Sequence, residues 1–376
     1  MQISMIAAGF TPGEADGLRR AMAAWKRKGG LDRYYAKLVD GMTSRGYTKE
    51  FAEGIYKQIH GFSEYGFPES HAASFALLVY ASCWIKRHHP AEFLAALLNS
   101  QPMGFYSPSQ LVQDAKRHGV EVRAPDVMRS DVDCTLEGLP HPPAVRLGLR
   151  MISGLKWESA ERVIKARHAR VFDDAEDLAR RAKLELHEMK LLAAADALMS
   201  LSGHRRQQVW DAAALRSTPE LLRDAPFEED VLEFPPAPEG EEIVFDYASL
   251  RLSLRRHPLA LLRSKLNARR LLTAEQLDAL PNGRAVRYCG IVTLRQQPET
   301  ANGTVFISLE DETGVVQVIC WKSLRDLQRK ELLRSRLLEV HGTWQREGDV
   351  KNLIAGRLED LTPMLGRLAT ESRDFK

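Results

Sequence analysis

The chain has 376 residues, a net charge of +3 and a pI near 8.6, with 44% hydrophobic and 27% charged residues. That length holds several cores, and the composition excludes a disordered, fibrous or collagenous chain. The mild basicity admits a nucleic-acid partner without requiring one.

The first hundred residues read as helices. "TPGEADGLRRAM" carries a capping box, with Thr11 as N-cap, Pro12 at the first helical position and Glu14 three residues on. Leu18, Met22 and Trp25 make one apolar face, and Gly29–Gly30 stop the helix. Arg19 and Arg20 lie on the remaining surface, as a solvated basic face or as anion ligands. No basic, apolar leader opens the chain, so no signal peptide is read.

A second helix is expected from about Thr48 to Ile59, followed by "SHAASFALLVYASCWIKRHH". Its apolar run, Ala72 to Ile85, is about 14 residues, short of the roughly 20 that a membrane span needs. A buried core helix is therefore expected, with Ser70 as N-cap and a basic end at Lys86 and Arg87. A helix N-terminus is a ready anion site, and Ser70 and His71 would add a hydroxyl and an imidazole to it. Pro90 then opens "PAEFLAALLNS", and "SPSQLVQDAKRHG" gives one more helix.

A loop follows to Glu137, and helices return from Val145 to about Leu215. "PELLRDAPFEEDVLEFPPAPEGEE" is acidic and proline-rich and reads as a linker. From Ala285 the period changes to two. Five strand candidates follow, with a helical piece after the third, which is the layout of an OB-fold barrel. Such barrels bind single strands with a cationic groove and stacking aromatics. Tyr288, Phe306, Trp321 and Trp344, with Arg287, Arg295, Lys322 and Lys351, are the candidates. Each aromatic is open to two readings, barrel core or stacking surface.

Four cysteines, Cys83, Cys134, Cys289 and Cys320, include no C-x-x-C pair, so neither a zinc site nor a disulfide framework is read. A reducing, cytoplasmic setting is expected.

"EYGFPESHAASFALLVYASCWIKRHHPAEFLAALLNS" with the later "AKRHGVEVRAPDV" resembles the fingers region of bacterial C-family DNA polymerases, the polymerase III alpha subunit and its relatives. "AVRLGLRMISGL" resembles the start of that family's helix-hairpin-helix region, and "SLRRHPL" the approach to its OB domain. "TPGEADGLRRAM" and the terminal "SRDF" are most similar to the error-prone, damage-tolerance branch. The resemblance implies a multidomain chain, mainly α-helical fingers and a helix-hairpin-helix region followed by a C-terminal OB-fold β-barrel. The expected limits are fingers at 1–125, hairpins at 126–217, linker and helical connector at 218–280, barrel at 281–365 and tail at 366–376.

It also implies a role in translesion synthesis and DNA repair. Arg19, Arg20 and His71 fall at positions facing the incoming deoxynucleoside triphosphate, and Ser70, at the same helix end as His71, is read as nucleotide-binding with them. Gly154 and Lys156 are DNA-contact positions of a hairpin, or packing positions without DNA. The family's palm carboxylates lie upstream, so no catalytic residue and no metal are expected in this chain, although Mg²⁺ is expected for the full polymerase. The D-x-D at Asp131–Asp133 reads as loop acids. Expected partners are primer-template and single-stranded DNA, and a Y-family-like accessory protein that brings the sliding clamp; no membrane partner is expected. Two alternatives stay open: a stand-alone single-strand-binding adaptor, or part of a replicative alpha subunit.

Overall fold

In the computed structural model the described residues are 1–23, 31–64, 69–104, 106–138, 142–215, 233–298, 301–370 and 372–375. Side chains at 23, 61–64, 69–71, 373 and 375 lie outside that description. Trp25, the Gly29–Gly30 stop, most of the acidic linker, and the Ser70 and His71 side chains therefore fall outside it. The chain divides into two units, residues 1–87 and 88–376.

The first unit holds α1 (Gln2–Ile6), α2 (Pro12–Ala23), α3 (Tyr35–Thr43), α4 (Lys49–Glu64) and most of α5 (Glu69–His88). The expected capping box forms on α2. Thr11 N–H donates to Glu14 Oε2 at 2.9 Å, and Glu14 N–H to Thr11 Oγ1 at 3.4 Å. Phe10, Leu18, Leu38, Val39 and Met42 form the core of this unit.

Two expectations for α5 are corrected. The helix begins at Glu69, so Ser70 lies in its first turn and is not the N-cap. The helix is also not buried: every residue from Ala72 to His88 is exposed, with Leu77 at 75%. A helix that is apolar all round needs cover on every side. Composition states that need without naming what supplies it.

The second unit begins with α6 (Pro90–Asn99) and α7 (Pro108–Arg117). Ser107 and Gln110 form a reciprocal capping box on α7. A small sheet of β1 (Val122–Arg123), β2 (Thr135–Glu137) and β3 (Ala144–Arg146), in the order β1-β3-β2, takes part of the expected loop and corrects the helix expected from Val145, which is strand to Arg146. Its strands are too short to show an alternating pattern. Helices α8 (Trp157–Ala169), α9 (Ala175–Arg181), α10 (Leu186–Ala194), α11 (Met199–Ser202) and α12 (Arg205–Ala214) follow. Val145, Leu149, Ile152, Val163, Leu178, Met189 and Leu198 pack α6, α7, the sheet and these helices into one core.

After residues 216–232 the chain forms α13 (Glu239–Leu250) and α14 (Pro258–Ala268), then α15 (Ala274–Asp278). Arg205 on α12 is 2% exposed and bonds the Glu242 carbonyl at 2.8 Å, the Glu242 carboxylate at 2.9 Å, and Asp246. The connector is thus bound into the helical core. On its other side, Ile243, Leu259 and Leu266 cover Cys289, Ile291 and Leu337 on the outer wall of the barrel.

The barrel strands are β4 (Ala285–Gln296), β5 (Val305–Glu310), β6 (Val315–Cys320), β7 (Leu337–Glu347) and β8 (Val350–Asp360). Between β6 and β7 lie α16 (Lys322–Leu327) and α17 (Arg329–Arg334). The order β5-β6-β8-β7-β4 is closed by pairing of β4 with β5. The five-stranded OB-fold layout with its helix after the third strand is as expected. One element was not foreseen: "SRDF" contributes β9 (Arg373–Phe375), parallel to β4. Gly342 on β7 is a tight point, since a Cβ there would overlap the carbonyl oxygen of Ile354 on β8. Gly342→Ala is expected to cost roughly 1–3 kcal/mol through strand displacement, read as a lower urea midpoint of tryptophan fluorescence.

Candidate nucleic-acid interface

Alternation along each barrel strand decides which aromatics face out. Tyr288 is fully buried and Trp344 is 2% exposed, both in the barrel core with Val286, Leu338 and Leu353. They therefore cannot stack on bases, which corrects the stacking reading for both. Arg295 is corrected as well. It is buried, with Nε donating to Leu332 O at 2.6 Å and Nη1 to Ser372 Oγ at 2.6 Å, and it also bonds Ser335 O. Its work is to hold α17 and β9 to β4.

Phe306 is half-buried on the outer face of β5, and Trp321, at the end of β6, is 52% exposed. Lys322 is exposed beside Trp321, and Lys351 on β8 is half-buried and pairs with Asp278 at 2.8 Å. Strand register places Gln296, Phe306, Ile319, Ile354 and Thr343 in one row across β4, β5, β6, β8 and β7. Gln317 and Asn352 lie two residues from Ile319 and Ile354 and are at least half-exposed. This is a platform with an apolar centre, a polar flank and an exposed indole at one end. Sequence reasoning missed Ile319 and Ile354. Their signal was the alternation itself, which makes them outward residues once Val318 and Leu353 are placed inside.

Arg287 is half-exposed, and its Nε and Nη2 donate to Glu339 Oε1 at 3.1 and 2.6 Å. Arg19 and Arg20 are exposed on α2 and share Asp16, at 2.9 and 3.3 Å.

Gly154 has φ +84° in the turn before α8, a conformation that favours glycine. Ser153 N–H donates to Ser249 O at 2.8 Å, which ties this turn to α13. Lys156 is the exposed N-cap of α8, and the exposed Trp157 next to it lies under the Arg150 guanidinium at 5.5 Å. A second left-handed turn lies at Asp196, φ +59°, after α10. It is enclosed: Gln208 Nε2 donates to Asp196 at 2.7 Å, and Arg255 pairs with it at 3.1 Å. The two turns share a backbone form, but only the one at Gly154 is open. The "AAADAL" stretch hid the second because the left-handed residue is Asp.

The hairpin between β5 and β6 meets the helices through buried charge. Glu310 sits 3.6 Å from Arg117 on α7, and Arg263 on α14 pairs with Glu312 at 2.5 Å and Asp311 at 3.6 Å. Burial pushes the Glu310 carboxyl up to about 7, against the pull of Arg117. A carboxyl raised in the folded state is most stabilising below its unfolded value. Stability is therefore expected to fall as pH rises from about 4.5 to about 7, by up to about 3 kcal/mol. Urea midpoints across that range should flatten in Glu310→Gln.

The Asp131–Asp133 acids do not form a two-metal centre. Asp131 is bound to Arg167 at 2.8 Å and Asp133 to Arg150 at 2.6 Å. Among the described residues, Glu339, His341 and Glu359 bring ligand atoms within 4.8 Å of one another, but Arg269 and Arg287 already neutralise them. Magnesium therefore does not fit Glu339, His341 and Glu359. No helix among the described residues is long and apolar enough to cross a membrane.

Residues 1–46 match the bacterial DNA polymerase III alpha subunit finger domain. Residues 119–208 match a helix-hairpin-helix motif, and 286–361 an OB-fold nucleic acid binding domain. The whole chain is 56% identical over 382 residues to an error-prone DNA polymerase of Burkholderia pseudomallei, covering 36% of that protein. It is 54% identical over 383 residues to one of Bordetella parapertussis, covering 36%, and 52% identical over 395 residues to one of Methylococcus capsulatus, covering 38%. The chain thus spans a little over a third of the length of these relatives. The resemblance to the C-terminal part of the error-prone branch of C-family DNA polymerases is borne out over the full chain.

Proposed function

Taking the chain as the C-terminal part of an error-prone C-family polymerase, we propose that it is the DNA-holding end of an enzyme that extends primers past damaged template. The observation that carries this is the match, over the whole of this chain and a little over a third of theirs, to relatives described as error-prone DNA polymerases, together with a barrel whose outer face presents Phe306 and Trp321. In this reading the barrel binds single-stranded template. Bases stack on Phe306 and Trp321, while Lys322, Lys351 and Arg287 supply positive charge. The open turn at Gly154 and Lys156 grips a phosphate of the primer-template.

Arg19 and Arg20, with Ser70 and His71, serve the triphosphate of the incoming nucleotide. Mg²⁺ belongs to the palm of the longer enzyme. A Y-family-like accessory protein brings the sliding clamp, and the protein works in the cytoplasm at the nucleoid. The chain alone is inactive, because neither Asp131 nor Asp133 is free to hold a metal. Primer extension by the pure chain with Mg²⁺ and all four deoxynucleotides tests that last point: none is expected, and template-directed extension would overturn it.

A further inference from the structure

We propose that Arg287, His341 and Arg357 form a cationic track on the outer wall of β4, β7 and β8 that binds the phosphates of a single strand leaving the stacking face. The proposal rests on the barrel reading above and extends its path.

Register puts Arg287 directly opposite His341, and His341 directly opposite Arg357. Two arginines thus flank His341 in one cross-strand row, and their positive charge calls for a compensating anion. Part of the compensation is built in. The fully buried Glu339 carboxylate accepts Arg287 Nη2 at 2.6 Å and Arg269 Nη2 at 3.1 Å, and lies 2.8 Å from His341 Nε2. Glu359 pairs with Arg269 at 2.5 Å and with Arg357 at 3.5 Å. Three arginines, Arg269, Arg287 and Arg357, thus stand over two glutamates, and the surface stays positive, with His341 as a further polar group between them.

Burial works against the Glu339 charge, but the Arg287 hydrogen bonds and the charges of Arg287, Arg269 and His341 hold its carboxyl below the usual range. Arg287 and Arg269 are therefore fixed in place before any ligand arrives, and an already ordered guanidinium loses less freedom on meeting a phosphate. Arg357, by contrast, is 65% exposed.

The track is continuous with the platform. Thr343 lies two residues from His341 on the same face of β7 and pairs with Ile354, which pairs with Ile319 beside Phe306. A strand crossing β5, β6 and β8 on its bases would next meet Arg357, His341 and Arg287 with its backbone.

The test is the salt dependence of oligonucleotide binding by the full 376-residue chain. Each lost phosphate contact should lower the slope of log affinity on log salt by about 0.7 for a single strand. Arg357→Gln is expected to do so with an unchanged melting temperature, and Arg357→Lys to restore most of the slope. Arg287→Gln should act the same way, and if it fails to fold, the exposed Arg357 decides alone. Wild-type slopes in Arg357→Gln, with binding weakened in Phe306→Ala/Trp321→Ala, would overturn the track and leave the stacking face standing. Unweakened binding in that double variant would overturn the barrel reading instead.

Discussion

Arg205→Ala is expected to lower stability by about 3–5 kcal/mol, because it leaves buried carboxylates without their cation. Asp196, Glu242 and Asp246 meet at Arg205, and only the half-exposed Arg255 would remain to offset them. Burial already pushes the carboxyls of Asp196 and Glu242 up despite both arginines. The variant should therefore regain part of its loss as pH falls and these groups protonate. The neighbouring Arg206 pairs with Glu241 at the surface, and Arg206→Ala should cost at most about 1 kcal/mol. Urea midpoints of the two variants at neutral and mildly acid pH check both statements. Equal losses would mean that the buried cluster does not hold α12 to α13.

Two tryptophans of the barrel should separate stability from binding. Trp344→Ala empties the largest fully buried position among the described residues and is expected to cost about 3–5 kcal/mol. Its indole Nε1 has no hydrogen-bond partner among the described residues, so the loss expected is one of packing. Trp321→Ala removes an exposed ring and should leave the unfolding midpoint within about 0.5 kcal/mol of the parent. Single-strand affinity should respond in the opposite way. Trp321→Ala is expected to weaken binding by about 1–3 kcal/mol, the worth of one base stack. Trp344→Ala should affect binding only through unfolding, measured by comparing affinities below its melting temperature.

Much of this was legible in the sequence because local rules sufficed. The Thr11–Glu14 box and Pro90 each fix a helix start with nearby residues alone. The change to a period of two at Ala285 gave the barrel and its order of elements. What could not be read depends on what packs where. Tyr288 and Phe306 look alike in sequence, and only strand register sends one inward and the other out. Arg295 looked like a groove cation, but the tail strand β9 and α17 enclose it. The apolar run of α5 announces a need for cover and cannot say what provides it.

The claim on which most depends is that the outer barrel face, and not the core aromatics, binds single strands. Its direct measurement is fluorescence anisotropy of a labelled single-stranded oligonucleotide titrated with the wild-type chain and with Phe306→Ala/Trp321→Ala at one salt concentration. Tight binding by the first is expected, with a loss of about 2–6 kcal/mol in the folded double variant, one stack per ring. Equal affinities for the two would contradict it.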